Sequence, residues 1–104
     1  MYNAINEVTV SANWLRTPIT TVPGQLTLGN RGVEFRPNNG IAVVQIDYAQ
    51  INRVWVQLRF NRWPHGLTVE LTTGERYQWV SWRASQVVHV FNRKLAVGVV
   101  RHQR

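Results

Sequence analysis

The sequence predicts a mainly β domain: a roll or partly open barrel of about seven antiparallel strands with one C-terminal helix capping it. Three observations lead there. Apolar residues recur at every second position through much of the stretch from residue 5 to residue 81. Clusters of Gly, Pro and Asn interrupt that alternation at hairpin spacing. After residue 81 the period changes to that of a helix. A sheet that is apolar along one whole face needs a cover, and one amphipathic helix supplies it.

Each element follows from its own residues. In INEVTVSANWL (5–15), Val8, Val10, Ala12 and Trp14 share a face. RTPITTVPG (16–24), with two prolines and a glycine, reads as a loop. GQLTLGNRGVEFRP (24–37) reads as a hairpin, with Leu26, Leu28, Val33 and Phe35 inward. Its turn is Gly29-Asn30-Arg31-Gly32, where Gly and Asn accept positive φ. Pro37 to Gly40 turns the chain again into IAVVQIDY (41–48), with Val44 and Ile46 inward. In residues 51–60, period 2 puts Val54, Val56, Leu58 and Phe60 in the core and Arg53, Trp55, Gln57 and Arg59 outside. Asn61 to Gly66 breaks the strand. LTVELTT (67–73) and RYQWVS (76–81) complete a meander, with Leu67, Val69, Leu71, Tyr77 and Trp79 inward.

The ending differs in kind. Ala84, Val87, Val88, Phe91 and Leu95 make one helical stripe, so a helix is predicted over about 82–96. Ser81 is its expected N-cap and Gly98 its expected stop. Residues 99–104 read as a short basic tail.

The 104 residues correspond to a single domain. There is no cysteine, which excludes disulfides and thiolate metal sites. No apolar run approaches the roughly 20 residues of a membrane-spanning helix. The opening MYNAINEVTV has neither a basic nor an apolar leader region, so a cytoplasmic location is expected. Eleven Arg and one Lys against five acids give a formal charge of +7, which attracts anionic partners.

Little in the sequence points to catalysis or to a cofactor. Glu7, Glu34, Asp47, Glu70 and Glu75 are dispersed over strands and turns. His65, His89 and His102 are isolated, and no local spacing proposes a metal site. Gly29 to Gly32 is too short for a phosphate loop and leads into a strand. The expectation is a protein that is not an enzyme, with no catalytic, metal or cofactor residues. The candidate binding residues are Arg53, Trp55 and Arg59 on the outward strand face, and Arg62 and Trp63 in the bend that follows, because Arg and Trp are enriched at binding hot spots.

Leu28-Gly29-Asn30-Arg31-Gly32-Val33-Glu34-Phe35 resembles the strand–turn–strand of GRAM-type domains of the pleckstrin-homology-like fold, and IDYAQINRVWV is similar to a segment that follows it there. A closer resemblance is to a small family of bacterial proteins of unknown function encoded beside mannose-class sugar phosphotransferase genes. It rests on that stretch, on Val44-Gln45-Ile46-Asp47-Tyr48 with Ile51 and Val54, on Thr73-Gly74 with Arg76-Tyr77-Gln78-Trp79, and on Val100-Arg101. The chain departs from the pattern at Asp47-Tyr48, where the family has Pro-Trp.

The resemblance implies a pleckstrin-like domain with an accessory or regulatory role around sugar uptake. Its expected partner is a protein, a phosphotransferase component among the candidates. The alternative is a sequence-independent nucleic-acid binder using the basic aromatic strand face. Headgroup-specific lipid binding is not expected: the 16–24 segment holds one arginine, whereas lipid-binding relatives carry several basic residues there. A homodimer through paired strand edges is compatible with such a sheet.

Overall fold

Among the described residues, the alternation builds eight strands: β1 (Asn6–Thr17), β2 (Thr20–Gly29), β3 (Gly32–Pro37), β4 (Val44–Asp47), β5 (Ile51–Arg59), β6 (Trp63–Leu71), β7 (Arg76–Val80) and β8 (Val100–Gln103). One helix, α1 (Ala84–Lys94), follows β7. The computed structural model describes residues 2–17, 19–40, 43–60 and 63–103, the last by its backbone. Ile41 and Ala42 of the expected third strand in the series, Asn61 and Arg62 of the bend, Pro18 and Arg104 lie outside the described residues.

The strands form one sheet in the order β4-β3-β2-β1-β7-β6-β5-β8. Two antiparallel meanders, β1 to β4 and β5 to β7, meet where β1 pairs with β7. The sheet is not closed, since β4 and β8 are its two ends. Most of the inward positions expected from the alternation are buried: Val10 and Ala12, Leu26 and Leu28, Val33 and Phe35, Val44 and Ile46, Val54 and Val56, Leu67, Val69 and Leu71, and Trp79, while Val8, Trp14, Leu58 and Tyr77 are partly buried against them. Aromatic rings bind the two meanders together. Phe35 lies 5.9 Å from Trp79 between ring centroids and 6.0 Å edge-on from Trp14, while Tyr77 stacks on Trp79 at 5.8 Å.

The helix closes the apolar face. Ala84, Val87, Val88, Val90 and Phe91 are buried; Val90 joins the expected stripe, Leu95 at its end is only partly buried, and α1 packs against β1 and β6. Its C-terminal end is tied to β1 by Glu7, whose carboxylate takes Arg93 at 2.9 Å and Lys94 at 2.7 Å. The Lys94 hydrogen bond leads in holding the Glu7 carboxyl below its ordinary value.

Several expectations are corrected. The 16–24 segment is not a loop: β1 and β2 form a tight hairpin with Thr17 opposite Thr20 and Asn13 opposite Pro23. Its threonines and valine favour strand. Pro23 is tolerated because the β2–β3 ladder ends opposite Gly24, and just beyond it the Pro23 carbonyl accepts from the Asn38 amide at 3.0 Å, so no ladder amide is required of it. The 99–104 tail is also not free. Residues 100–103 form an eighth strand, parallel to β5, and the Val54 amide donates to the Val99 carbonyl at 2.9 Å. The edge of β5 offers open backbone groups, and this short segment satisfies them.

Phe60 is not in the core. The strand ends at Arg59, and Phe60 stands at φ 55 with 70% of its surface exposed. Ser81 does not cap the helix directly. It sits one turn earlier, accepting from the Arg83 amide at 3.1 Å and donating to the Ser11 carbonyl at 2.7 Å. Gly98 does not stop the helix, which ends at Lys94. It turns the chain into β8 at φ 88.

The β2–β3 turn forms where expected but by another means. Neither Gly29 nor Gly32 has a positive φ. They are glycines for lack of room: a Cβ on Gly32 would meet the Ile46 carbonyl at 2.0 Å, and one on Gly29 the Ile5 carbonyl at 2.2 Å. The turn is filled by Asn3, a buried polar residue whose Oδ1 accepts from the Arg31 amide at 2.8 Å and the Gly32 amide at 3.0 Å. Beside it the Tyr2 hydroxyl donates to Asp47 Oδ1, which Arg31 Nε also reaches at 3.0 Å.

Two outcomes are expected of the fold. Phe35→Ala should cost about 3–5 kcal/mol in urea unfolding, since it empties the contact between Trp14 and Trp79. The second concerns acid. The Tyr2 hydrogen bond, with the nearby Arg31, holds the Asp47 carboxyl below the ordinary aspartate value. A carboxyl lowered in the folded state adds stability above its unfolded pKa of about 3.9, and that contribution is lost as pH falls through the folded value. Tyr2→Phe should therefore lower stability at neutral pH and flatten its decline below pH ~4, as read by urea melts across a pH series.

Candidate functional site

Arg53, Trp55 and Arg59 have the same parity on β5, and sequence spacing puts them on one face. The structure separates them. Pairing with β6 is regular from Arg53 to Gln57 and then slips: Gln57 faces Gly66, but Leu58 faces Pro64, so His65 is an extra residue on β6. Such a bulge bends the strand and sharpens its twist. Below it, Arg53 and Trp55 stay on the outer wall of the sheet. Above it, Arg59 turns toward the segment that precedes α1.

There Arg59 enters an aromatic cluster. Its guanidinium lies 4.3 Å from the ring centroid of Trp82 and 5.2 Å from that of Phe60. Phe60 meets Trp63 edge-on at 6.2 Å, and His65 lies 4.9 Å from Trp82. The Ser81 amide donates to the His65 carbonyl at 2.9 Å and so pins the turn carrying Trp82 against β6. Arg59, Phe60, Trp63, Pro64, His65, Trp82 and Ser85 line an open recess of about 400 Å³. Three large rings in it stay exposed: Phe60, Trp63 at 56% and Trp82 at 76%. An aromatic with positive φ is uncommon, and strain of this kind collects where a surface binds something.

Trp55 belongs to a second, separate depression of about 440 Å³, lined by Leu15, Trp55, Gln57, Thr68, Arg76 and Gln78. Arg53, two residues before Trp55 on β5, stands opposite Glu70 in the strand register. Glu70 accepts from Asn52 at 3.0 Å and pairs with Arg76 at 2.8 Å, and those two partners hold its carboxyl below the ordinary glutamate value.

Of the residues picked from the sequence, Arg53 and Trp55 thus share one surface, Arg59 and Trp63 another, and Arg62 lies outside the described residues. Sequence spacing missed Trp82 as a site residue because it sits in the predicted helix. The available signal was that it falls off the apolar stripe. Among the described residues no three side chains of the metal-ligating types converge, and no helix is long and apolar enough to cross a membrane.

No known family matches the chain, and no curated protein matches it. A solved structure does: the C-terminal domain of an unknown protein from Leishmania infantum superposes with a TM-score of 0.74 at 11% identity, covering 86% of this chain and 82% of that one. At that identity the likeness is one of fold.

The five tryptophans separate by exposure. The quenched fraction of the fluorescence with acrylamide should fall markedly in Trp82→Phe and Trp63→Phe and rise in Trp79→Phe, which removes a buried, shielded emitter.

Proposed function

We propose that the chain is a non-enzymatic, accessory or regulatory binding module that holds a protein partner in the aromatic recess between the β5–β6 turn and the start of α1. The observation that carries this reading is Phe60. A large apolar ring is kept in the left-handed backbone region, out of the core and against Trp63. That conformation costs roughly 1–2 kcal/mol, with no burial in return. A partner that covers Phe60, Trp63 and Trp82 recovers the loss, and exposed Trp and Arg in a concave patch are the usual carriers of binding energy.

The partner follows from the resemblance to bacterial proteins encoded beside mannose-class sugar phosphotransferase genes. We take a cytoplasmic component of that system as the first partner to test, and the strand order, two meanders with a terminal helix over them, supports the pleckstrin-like reading of the domain. In this role the module works in the cytoplasm.

The test is a calorimetric titration of this domain with each purified component of such a system. Asn tolerates the left-handed region better than Phe, so Phe60→Asn should leave urea stability unchanged or raise it by about 0.5–1 kcal/mol. The same change, and Trp63→Ala, should weaken binding by about 2 kcal/mol or more. Unaltered affinity in both variants removes the recess as the site, and no binding by any component removes the sugar-uptake partner.

A further inference from the structure

The outer wall of β5 to β8 has a composition that neither the core nor the recess explains. Two cross-strand rows run over it. In one, Gln78, Thr68, Trp55 and Arg101 are successive register partners, and in the next Arg76, Glu70 and Arg53. In such rows neighbouring side chains stand about 5 Å apart. Three arginines therefore stand in the row of the tryptophan and the one beside it, and the single carboxylate in these rows, Glu70, is already held by Arg76 and Asn52. The surplus is positive, in a chain whose formal charge is +7.

The Trp55 indole is half-buried, and among the described residues no ring or cation lies against it. Beside it the Gln57 side chain lies over Gly66, where a Cβ would meet Gln57 Oε1 at 2.2 Å, and Gln78 Nε2 is 3.5 Å from the same oxygen. The two amides make a polar shelf at the edge of the ring. Among the described residues, Leu15 and Trp55 are the only apolar side chains lining this depression, so it has no dry centre of the kind a protein partner uses.

We infer that this wall binds single-stranded nucleic acid, with one base stacked on Trp55, its edge against the Gln57 and Gln78 amides, and the flanking phosphates on Arg53, Arg76 and Arg101. The charge is complementary to a phosphate chain. The open ring face suits a base that is not already stacked in a duplex, and amides pair with base edges without strong preference among them. This site is independent of the aromatic recess, which lies beyond the bulge at His65.

The test is fluorescence anisotropy of a labelled mixed-sequence single strand of about 16 nucleotides, a length one small strand-binding domain covers, titrated over a range of salt. The wild type should bind with an affinity that falls as salt rises. Trp55→Ala should weaken it about tenfold or more and leave the salt slope in place. The double change Arg53→Gln and Arg101→Gln should flatten the slope of log K against log salt by about 1.4, for two phosphates. Trp63→Ala should change neither. Trp55→Leu, which keeps apolar bulk on the strand, stands in if the alanine variant fails to fold by circular dichroism, and the same loss is expected. The inference is overturned if the strand does not bind at low salt, if the Trp55 variants bind as the wild type does, or if heparin or a duplex of equal length binds as tightly and with the same insensitivity to Trp55, since the wall would then read charge alone.

Discussion

Asn13 opposite Val80 and Trp14 opposite Trp79 are the register pairs that join the two meanders. Everything else in the fold is arranged around that narrow seam. A two-pair ladder is weak, so its strength comes from side chains: Trp14, Phe35, Tyr77 and Trp79 meet across it at centroid distances of 5.8–6.0 Å. These rings bury large areas and prefer the offset and edge-on geometries seen here. The rest of β1 extends past the seam, and there α1 takes the place of a neighbouring strand, anchored at its far end by Glu7 to Arg93 and Lys94.

The seam and the helix also decide where a surface can act. The helix enters beside β6 through the turn at Ser81, and that turn carries Trp82 to the bulged end of β5 and β6. The bulge at His65 is the dividing point. On one side the strand face is a flat wall with Trp55, and on the other the chain curls into a recess with Arg59. One strand with one alternation therefore serves two surfaces.

Much of this was legible in the sequence because burial on one face enforces period 2. Val10, Leu26, Phe35, Ile46, Val54, Leu67 and Trp79 were all readable as inward, and all are buried. What escaped was set by partners distant in sequence. Asn3 fills the turn at Gly32, and nothing local in the sequence marks it for that place. The hairpin at Thr17 and Thr20 was hidden by the prolines in its sequence, of which Pro23 sits where the β2–β3 ladder has ended. Residues 100–103 gain their strand from the open side of β5. Phe60 continues an apolar alternation without a break, and only its backbone angle removes it from the core. The site suffered most: a one-residue slip between Gln57 and Leu58 leaves parity intact on paper while turning Arg59 elsewhere.

The position of β1 carries a consequence for how the chain assembles. Of the strands of this sheet, the earliest in sequence lies in its middle, between β2 and β7. During synthesis β1 to β4 can pair as a meander while the later half is still emerging, and Asn3 can reach the turn at Gly32 as soon as that turn exists. The inner edge of β1 then waits for β7, whose Val80 lies far along the chain from Asn13. Closing so large a loop is slow relative to hairpin formation. An incomplete chain that ends before β7 exposes both that edge and the face of Trp14 that Tyr77 would cover, a surface prone to mispairing.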